Sequence, residues 1–179
     1  MWQDLLVTWI APVVDRIDPV GPADERTSLD AWLDFHRATL LMKCTGLTGD
    51  KLAQRPVPSS TLSLLGLVRH LADVEGVWFR FRFAGQNVDS HYWTAECPDG
   101  DFENADAASA EADYATLLAE IDGCRKLVEG RSLDETFTYG KQQIDCDLRW
   151  VYVHLIEEYA RHNGHADLIR ELVDGVVGE

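Results

Sequence analysis

Glu158 and His162 lie one helical turn apart within the stretch EEYARHNGHADLIRE, Glu157 to Glu171. A carboxylate and an imidazole at i, i+4 stack on one face of a helix, so the pair can offer two ligands to a single divalent ion. A third ligand must come from elsewhere. At 100° per residue, Leu148, Leu155, Tyr159, Ala166 and Val173 fall within about 40° of one another and define an inward stripe. His162 lies in or beside that stripe, Glu158 sits about 40° further round at its rim, and His165 and His154 lie successively further toward solvent. On the second helical stretch, which follows Ser60 or Thr61 and carries Leu64 to Phe81, the only histidine is His70, about 40° from Val74 at the edge of another apolar stripe. Helices packed rim to rim would bring His70, Glu158 and His162 to one point in a bundle core. The same residues also satisfy a purely structural reading, with Glu158 paired to Arg161 and His162 hydrogen-bonded in the core.

Four stretches carry the helical period that such a site needs. In the first, Leu29, Trp32, Leu33, His36, Leu40 and Leu47 recur after the acidic opening ADERTS. The second begins after Ser60 or Thr61 as cap and lines up Leu64, Leu67, Leu71, Val74, Trp78 and Phe81. A third runs from about Ala107 to Glu129, and a fourth from about Leu148 to Val173. Between the second and third, Phe83 to Asn104 reads as a long surface loop, a lid or packing arm. Its acids lack the turn glycine and terminal glutamate of an EF-hand calcium loop. The segment ETFTYGKQQIDC alternates like an irregular hairpin. An additional helix over Asp4 to Val14 completes an all-α reading: a four-helix bundle, with an extra N-terminal helix, as a single domain over residues 1–179.

Composition narrows the partners. The chain has 179 residues, 46% of them apolar, and a formal net charge of −15. That charge repels phosphate backbones, so nucleic acid and anionic membrane are excluded as expected partners. No apolar run reaches the length of a membrane span, and Asp4 stands where a signal peptide carries positive charge, so the expected location is cytoplasmic. Cys44, Cys97, Cys124 and Cys146 form no C-x-x-C pair and read as reduced, mostly buried thiols.

RPVPSSTLSLLGLVRHLADVEGVWFR (Arg55 to Arg80) and LRWVYVHLIEEYARHNGHADLIRE (Leu148 to Glu171), with weaker support from WLDFHRATLLMKCTGL, resemble the DinB-like (YfiT-like) superfamily of metal-binding four-helix bundles. The similarity is closest to the branch with mycothiol-dependent maleylpyruvate isomerase and thiol S-transferases. In that superfamily one metal ligand comes from an H-L-x-x-x-E stretch, here His70, Leu71 and Glu75. The E-x-x-x-H of the isomerase branch falls on Glu158 and His162. Asn163, Gly164 and His165 stand where many members have R-G-Q, so His165 either lines the pocket or faces solvent. Glu75 lies about 140° round its helix from His70, which argues against its ligating the same ion.

The resemblance implies a metal-dependent enzyme using mycothiol or another small thiol as cosubstrate, in S-transfer to, or isomerisation of, a small electrophile. It also implies a homodimer. Two imidazoles and a carboxylate suit zinc, with nickel, iron or manganese as alternatives. His36, near the centre of the first stripe, is either a base or donor beside the metal or a satisfied core histidine. Trp32 and Trp78 read as core, and Arg80, Arg82 and Arg149 as surface pairs or contacts for an anionic substrate. Two other functions fit the same residues: a non-catalytic metal-containing module that binds or senses a small ligand, and a metal-dependent hydrolase.

Overall fold

A computed structural model describes residues 8–178. The described residues are mostly helical, with one two-stranded sheet among them. Four long helices dominate: α1 (Glu25–Cys44), α3 (Leu64–Glu75), α5 (Ala110–Val128) and α6 (Leu148–Asp174). Two single-turn helices, α2 (Gly49–Leu52) and α4 (Gly100–Glu103), punctuate the connections. α1 packs along α6, α3 packs along α5, and α3 also meets α6, so one apolar core runs among all four. No described helix is long and apolar enough to cross a membrane.

Caps fix where the long helices start. Asp24 Oδ1 accepts from the Thr27 amide at 3.0 Å, and Asp147 Oδ1 from the Trp150 amide at 2.7 Å. The cap of α3 is Ser63, whose Oγ accepts from the Gly66 amide at 2.9 Å, so the expected start at Ser60 or Thr61 moves two to three residues on. α6 ends at Gly175, whose φ of 83° is the left-handed conformation that a helix stop favours. The expected hairpin forms as β1 (Thr136–Tyr139) and β2 (Ile144–Asp147), antiparallel, with Thr136 opposite Asp147. It delivers the chain directly into α6.

Three expectations change. Of the N-terminal helix over Asp4 to Val14, residues 4–7 lie outside the described residues, while residues 8–14 are non-helical. The Ala11 amide donates to Leu47 O and its carbonyl accepts from the Gly46 amide, both at 2.9 Å. Ile10 bridges Thr48, so the arm spends its polar groups on the α1–α2 connection, and Pro12 cannot donate in a helix. Second, α3 continues into a π-helical segment, Gly76–Phe83, whose wider turns advance each residue through a smaller angle. Trp78, Phe79 and Phe83 are buried as a result, and Phe81, expected on the apolar side, is 51% exposed. Third, Trp32 is 47% exposed and is a surface residue, not core.

Candidate metal centre

α3 and α6 bring His70, Glu158 and His162 together. His162 Nε2 is 3.6 Å from Glu158 Oε2, and His70 Nε2 is 3.9 Å from the same oxygen. The two imidazole centroids are 4.7 Å apart, and one ligand atom from each residue lies within 4.8 Å of the others. Nitrogen and oxygen ligands at about 2.0–2.2 Å from a tetrahedral ion stand about 3.4 Å apart, so the three side chains need only a small contraction to share one. The donor set therefore fits a divalent ion. His162 is buried, whereas His70 and Glu158 are partly exposed, which leaves an approach from solvent.

Behind each imidazole stands a partner that sets its direction. His70 Nδ1 is 2.8 Å from Asp101 Oδ2, and Asp101 is buried. A carboxylate on Nδ1 holds a proton there and turns Nε2 toward Glu158. The Phe102 ring stacks on His70 at 5.0 Å. Arg69 Nε donates to the Asp101 carbonyl at 2.9 Å, its Nη2 donates to the Gly100 carbonyl at 3.0 Å, and its Nη1 pairs with Asp113 at 3.1 Å. Gly100 has to be glycine here, because a Cβ would lie 2.5 Å from the Tyr92 carbonyl oxygen. The long connection between α3 and α5 thus acts as a packing arm that carries a carboxylate onto a candidate ligand. Sequence reasoning missed Asp101 because it sits 31 residues from His70, on a segment without periodicity.

His165 Nδ1 faces His162 Nδ1 at 3.3 Å, so His165 stands behind the candidate ligand and not in open solvent. Burial, with His162 alongside, lowers the pKa of His165 below the ordinary histidine value, which keeps the ring neutral and its Nδ1 able to accept a hydrogen bond from His162 Nδ1–H. His36 contacts Asn163, whose Nδ2 donates to the His36 carbonyl at 3.0 Å. Burial lowers the pKa of His36, and its ring neighbours are Trp32 and Phe35. His154, expected toward solvent, is instead half-buried. Its ring stacks on Trp150 at 5.0 Å and meets Trp78 at 4.3 Å, and its Nε2 is 3.6 Å from Glu158 Oε1. Helical angles missed it because the covering rings come from the π-helical segment and from its own helix one turn back.

The structural alternative for Glu158 does not hold, because Arg161 pairs with Glu157. His154, Glu157 and Glu158 form a second grouping of ligand types, although Glu157 is exposed and already engaged by Arg161. Glu75 points elsewhere, into a buried pair with Arg37. The three arginines considered for an anionic substrate are all occupied: Arg80 by Glu120, Arg82 over Trp78 and Tyr139, and Arg149 by Glu25, Asp134 and Asp147.

The electrostatics follow from these contacts. Burial disfavours a charge on His70, but the hydrogen bond to Asp101 and the Glu158 carboxylate facing Nε2 outweigh that cost and push its pKa up to about 9. The His162 and His70 imidazoles facing its Oε2 hold the Glu158 carboxyl well below the usual carboxylate range. A histidine pKa raised in the fold stabilises the metal-free protein fully below its ordinary value of 6.5, and that stabilisation is lost as pH rises through about 9. In chelator-treated protein, the gap in unfolding midpoint between wild type and Asp101→Asn is therefore widest below about pH 6.5 and closes above about pH 9. A gap that stays constant across this range would mean that Asp101 does not act through the His70 proton.

No curated protein matches the chain. The model of one family, described as Mycothiol-S-transferase, matches residues 28–175, a span that takes in α1 from Ser28, each later helix and every residue of the candidate centre. The chain belongs to the mycothiol S-transferase family, within the DinB-like superfamily.

Proposed function

We propose that the protein is a metal-dependent S-transferase that joins a small thiol, mycothiol or a close equivalent, to a small electrophile. On this reading α1, α3, α5 and α6 form the four-helix bundle of the superfamily, and His70, Glu158 and His162 hold one divalent ion. Zinc is the first choice from the donor set, with nickel, iron or manganese as alternatives. The reading rests on the convergence of these three ligand types within 4.8 Å in a chain of this family. It extends to a cytoplasmic protein that works as a homodimer on a small-molecule substrate.

A divalent ion here supplies Lewis acidity that keeps a thiol in its nucleophilic thiolate form at neutral pH. The protein's own contribution is positioning. Asp101 fixes the His70 tautomer, so that Nε2 faces the centre. His165 does the same for His162 through the Nδ1 contact. Glu158 directs Oε2 at both imidazoles and Oε1 at His154, so one carboxylate is held from two sides. The rings of Trp78, Trp150 and His154 pack against one another on that side of the centre.

The test is conjugation of a fluorogenic electrophile, monochlorobimane, by purified protein with mycothiol. The expected result is turnover that needs both thiol and metal, stops on chelation and returns when zinc, nickel, iron or manganese is restored. Turnover that survives chelation, or hydrolysis without thiol, would overturn this assignment.

A further inference from the structure

A second cleft of about 380 Å³ opens between the π-helical segment, the N-terminal part of the long connection and α5. None of the three candidate ligands lines it. Its lining includes Glu120 from α5, Gly76 and Phe81 from the π-helical segment, and His91 and Trp93 from the connection. Glu120 is only 5% exposed, and its two oxygens have different fates. Oε1 takes the Arg80 guanidinium at 2.7 Å and His91 Nε2 at 2.9 Å. Oε2 is buried and has no hydrogen-bond partner among the described residues. A buried carboxylate oxygen without a donor is costly, and a native fold that keeps one calls for a reason.

The surroundings of Oε2 supply that reason. The residue beside it is Gly76, where a Cβ would lie 3.5 Å from Oε2 in ordinary van der Waals contact. Gly76 adopts ordinary right-handed helical angles, so the backbone does not demand glycine, and glycine keeps a methyl group off Oε2 on the side where Gly76 lines the cleft. Asp73 is already saturated: its oxygens accept from the Ser90 hydroxyl at 2.6 Å and from the His91 and Tyr92 amides at 2.6 and 3.2 Å. Those bonds fix the turn that presents Trp93, which is 44% exposed, and the 51% exposed Phe81 lines the same cleft. The lining holds three carboxylates, Asp73, Asp89 and Glu120, against the single guanidinium of Arg80.

A free carboxylate oxygen, an excess of negative charge and two exposed aromatic faces are jointly complementary to one chemistry. An ammonium donates to the oxygen, is attracted by the charge and is favoured over ring faces. We propose that this cleft is a binding site for a small organic ammonium, with Glu120 Oε2 as the acceptor and Trp93 and Phe81 as walls for the apolar part of the ligand. The site is separate from the metal centre and does not depend on the function assigned there.

Titration of full-length protein with phenethylamine hydrochloride tests this, read at the Trp93 indole N–H resonance and assigned with Trp93→Phe. The expected result is a saturable shift, weakened about tenfold or more by Glu120→Gln, since a charge-assisted hydrogen bond is lost. Gly76→Ala keeps the charge and a helix-compatible backbone while covering Oε2, and should weaken binding similarly even if Glu120→Gln fails to fold. His162→Ala should leave the titration unchanged. Equal binding of the uncharged 2-phenylethanol would overturn the ammonium assignment. So would binding of myo-inositol in place of the amine, unchanged amine affinity in Gly76→Ala, or the lack of a saturable shift.

Discussion

Replacing Glu75 by alanine lowers the stability of the protein by about 3–5 kcal/mol, the cost of leaving a buried charge without its partner. Glu75 is completely buried at the end of α3, and Arg37 of α1 is 4% exposed. Arg37 Nε and Nη2 donate to the two Glu75 oxygens at 2.7 Å each, a bidentate pair. The Tyr159 hydroxyl of α6 donates to Glu75 Oε1 at 3.0 Å, so one carboxylate ties three of the long helices together. Burial alone would weaken the Arg37 charge, but Glu75 more than offsets it and raises the guanidinium pKa further. Burial pushes the Tyr159 pKa well up as well, with Glu75 beside it. Alanine at 75 strands the Arg37 guanidinium and the Tyr159 hydroxyl together. A loss of this size is about a fifth or more of the roughly 5–15 kcal/mol that holds an ordinary domain folded. Urea unfolding should show the midpoint falling with the slope preserved. The double variant Arg37→Met, Glu75→Leu should recover most of the loss, because apolar replacements remove the desolvation cost along with the pair. If Glu75→Ala alone costs under about 1 kcal/mol, the pair contributes little to joining the helices.

That cluster shows what periodicity could and could not reveal. Apolar spacing located the long helices, and the angle of about 140° between Glu75 and His70 correctly turned Glu75 away from the candidate ligands. Nothing in α1 marked Arg37, one residue after His36, as a buried polar group of that helix, because its partner lies 38 residues away in another element. Asp101 escaped for the same reason. The π-helical segment was illegible in a different sense: a pattern scored at 100° per residue keeps its phase, while the backbone from Gly76 does not, so Phe81 was assigned to the wrong side. The N-terminal arm carries apolar residues that fit a helix, but its backbone pairing with Leu47 and Gly46 is a tertiary choice that local propensity does not encode. By contrast, Glu158 and His162 were legible because i, i+4 neighbours on one helix meet whatever the rest of the fold does. Only His70 required two helices to be brought together.

The consequence of that geometry is the largest functional effect expected in the chain. His162→Ala should reduce bound metal from about one ion per chain to near zero on elemental analysis of protein purified without added metal. Loss of a residue that only orients a ligand typically costs about 10–100-fold in metal affinity, and loss of a ligand itself exceeds that. His70→Ala should behave in the same way, since two of three protein ligands do not retain an ion against buffer and chelators. His165→Ala, which removes only the Nδ1 contact to His162, should fall in the 10–100-fold range. His36→Ala should keep its full metal content, because the contacts of His36 are to Asn163, Trp32 and Phe35. Stability supplies an independent readout. An ion bound to the native state alone adds about 4 kcal/mol when its free concentration is 1,000 times the dissociation constant. Chelation should therefore lower the unfolding midpoint of wild type and of His36→Ala while leaving His162→Ala unmoved. Equal metal in wild type and His162→Ala, with equal sensitivity to chelator, would mean that the ion sits elsewhere and that the His70, Glu158 and His162 convergence is only a buried hydrogen-bond cluster.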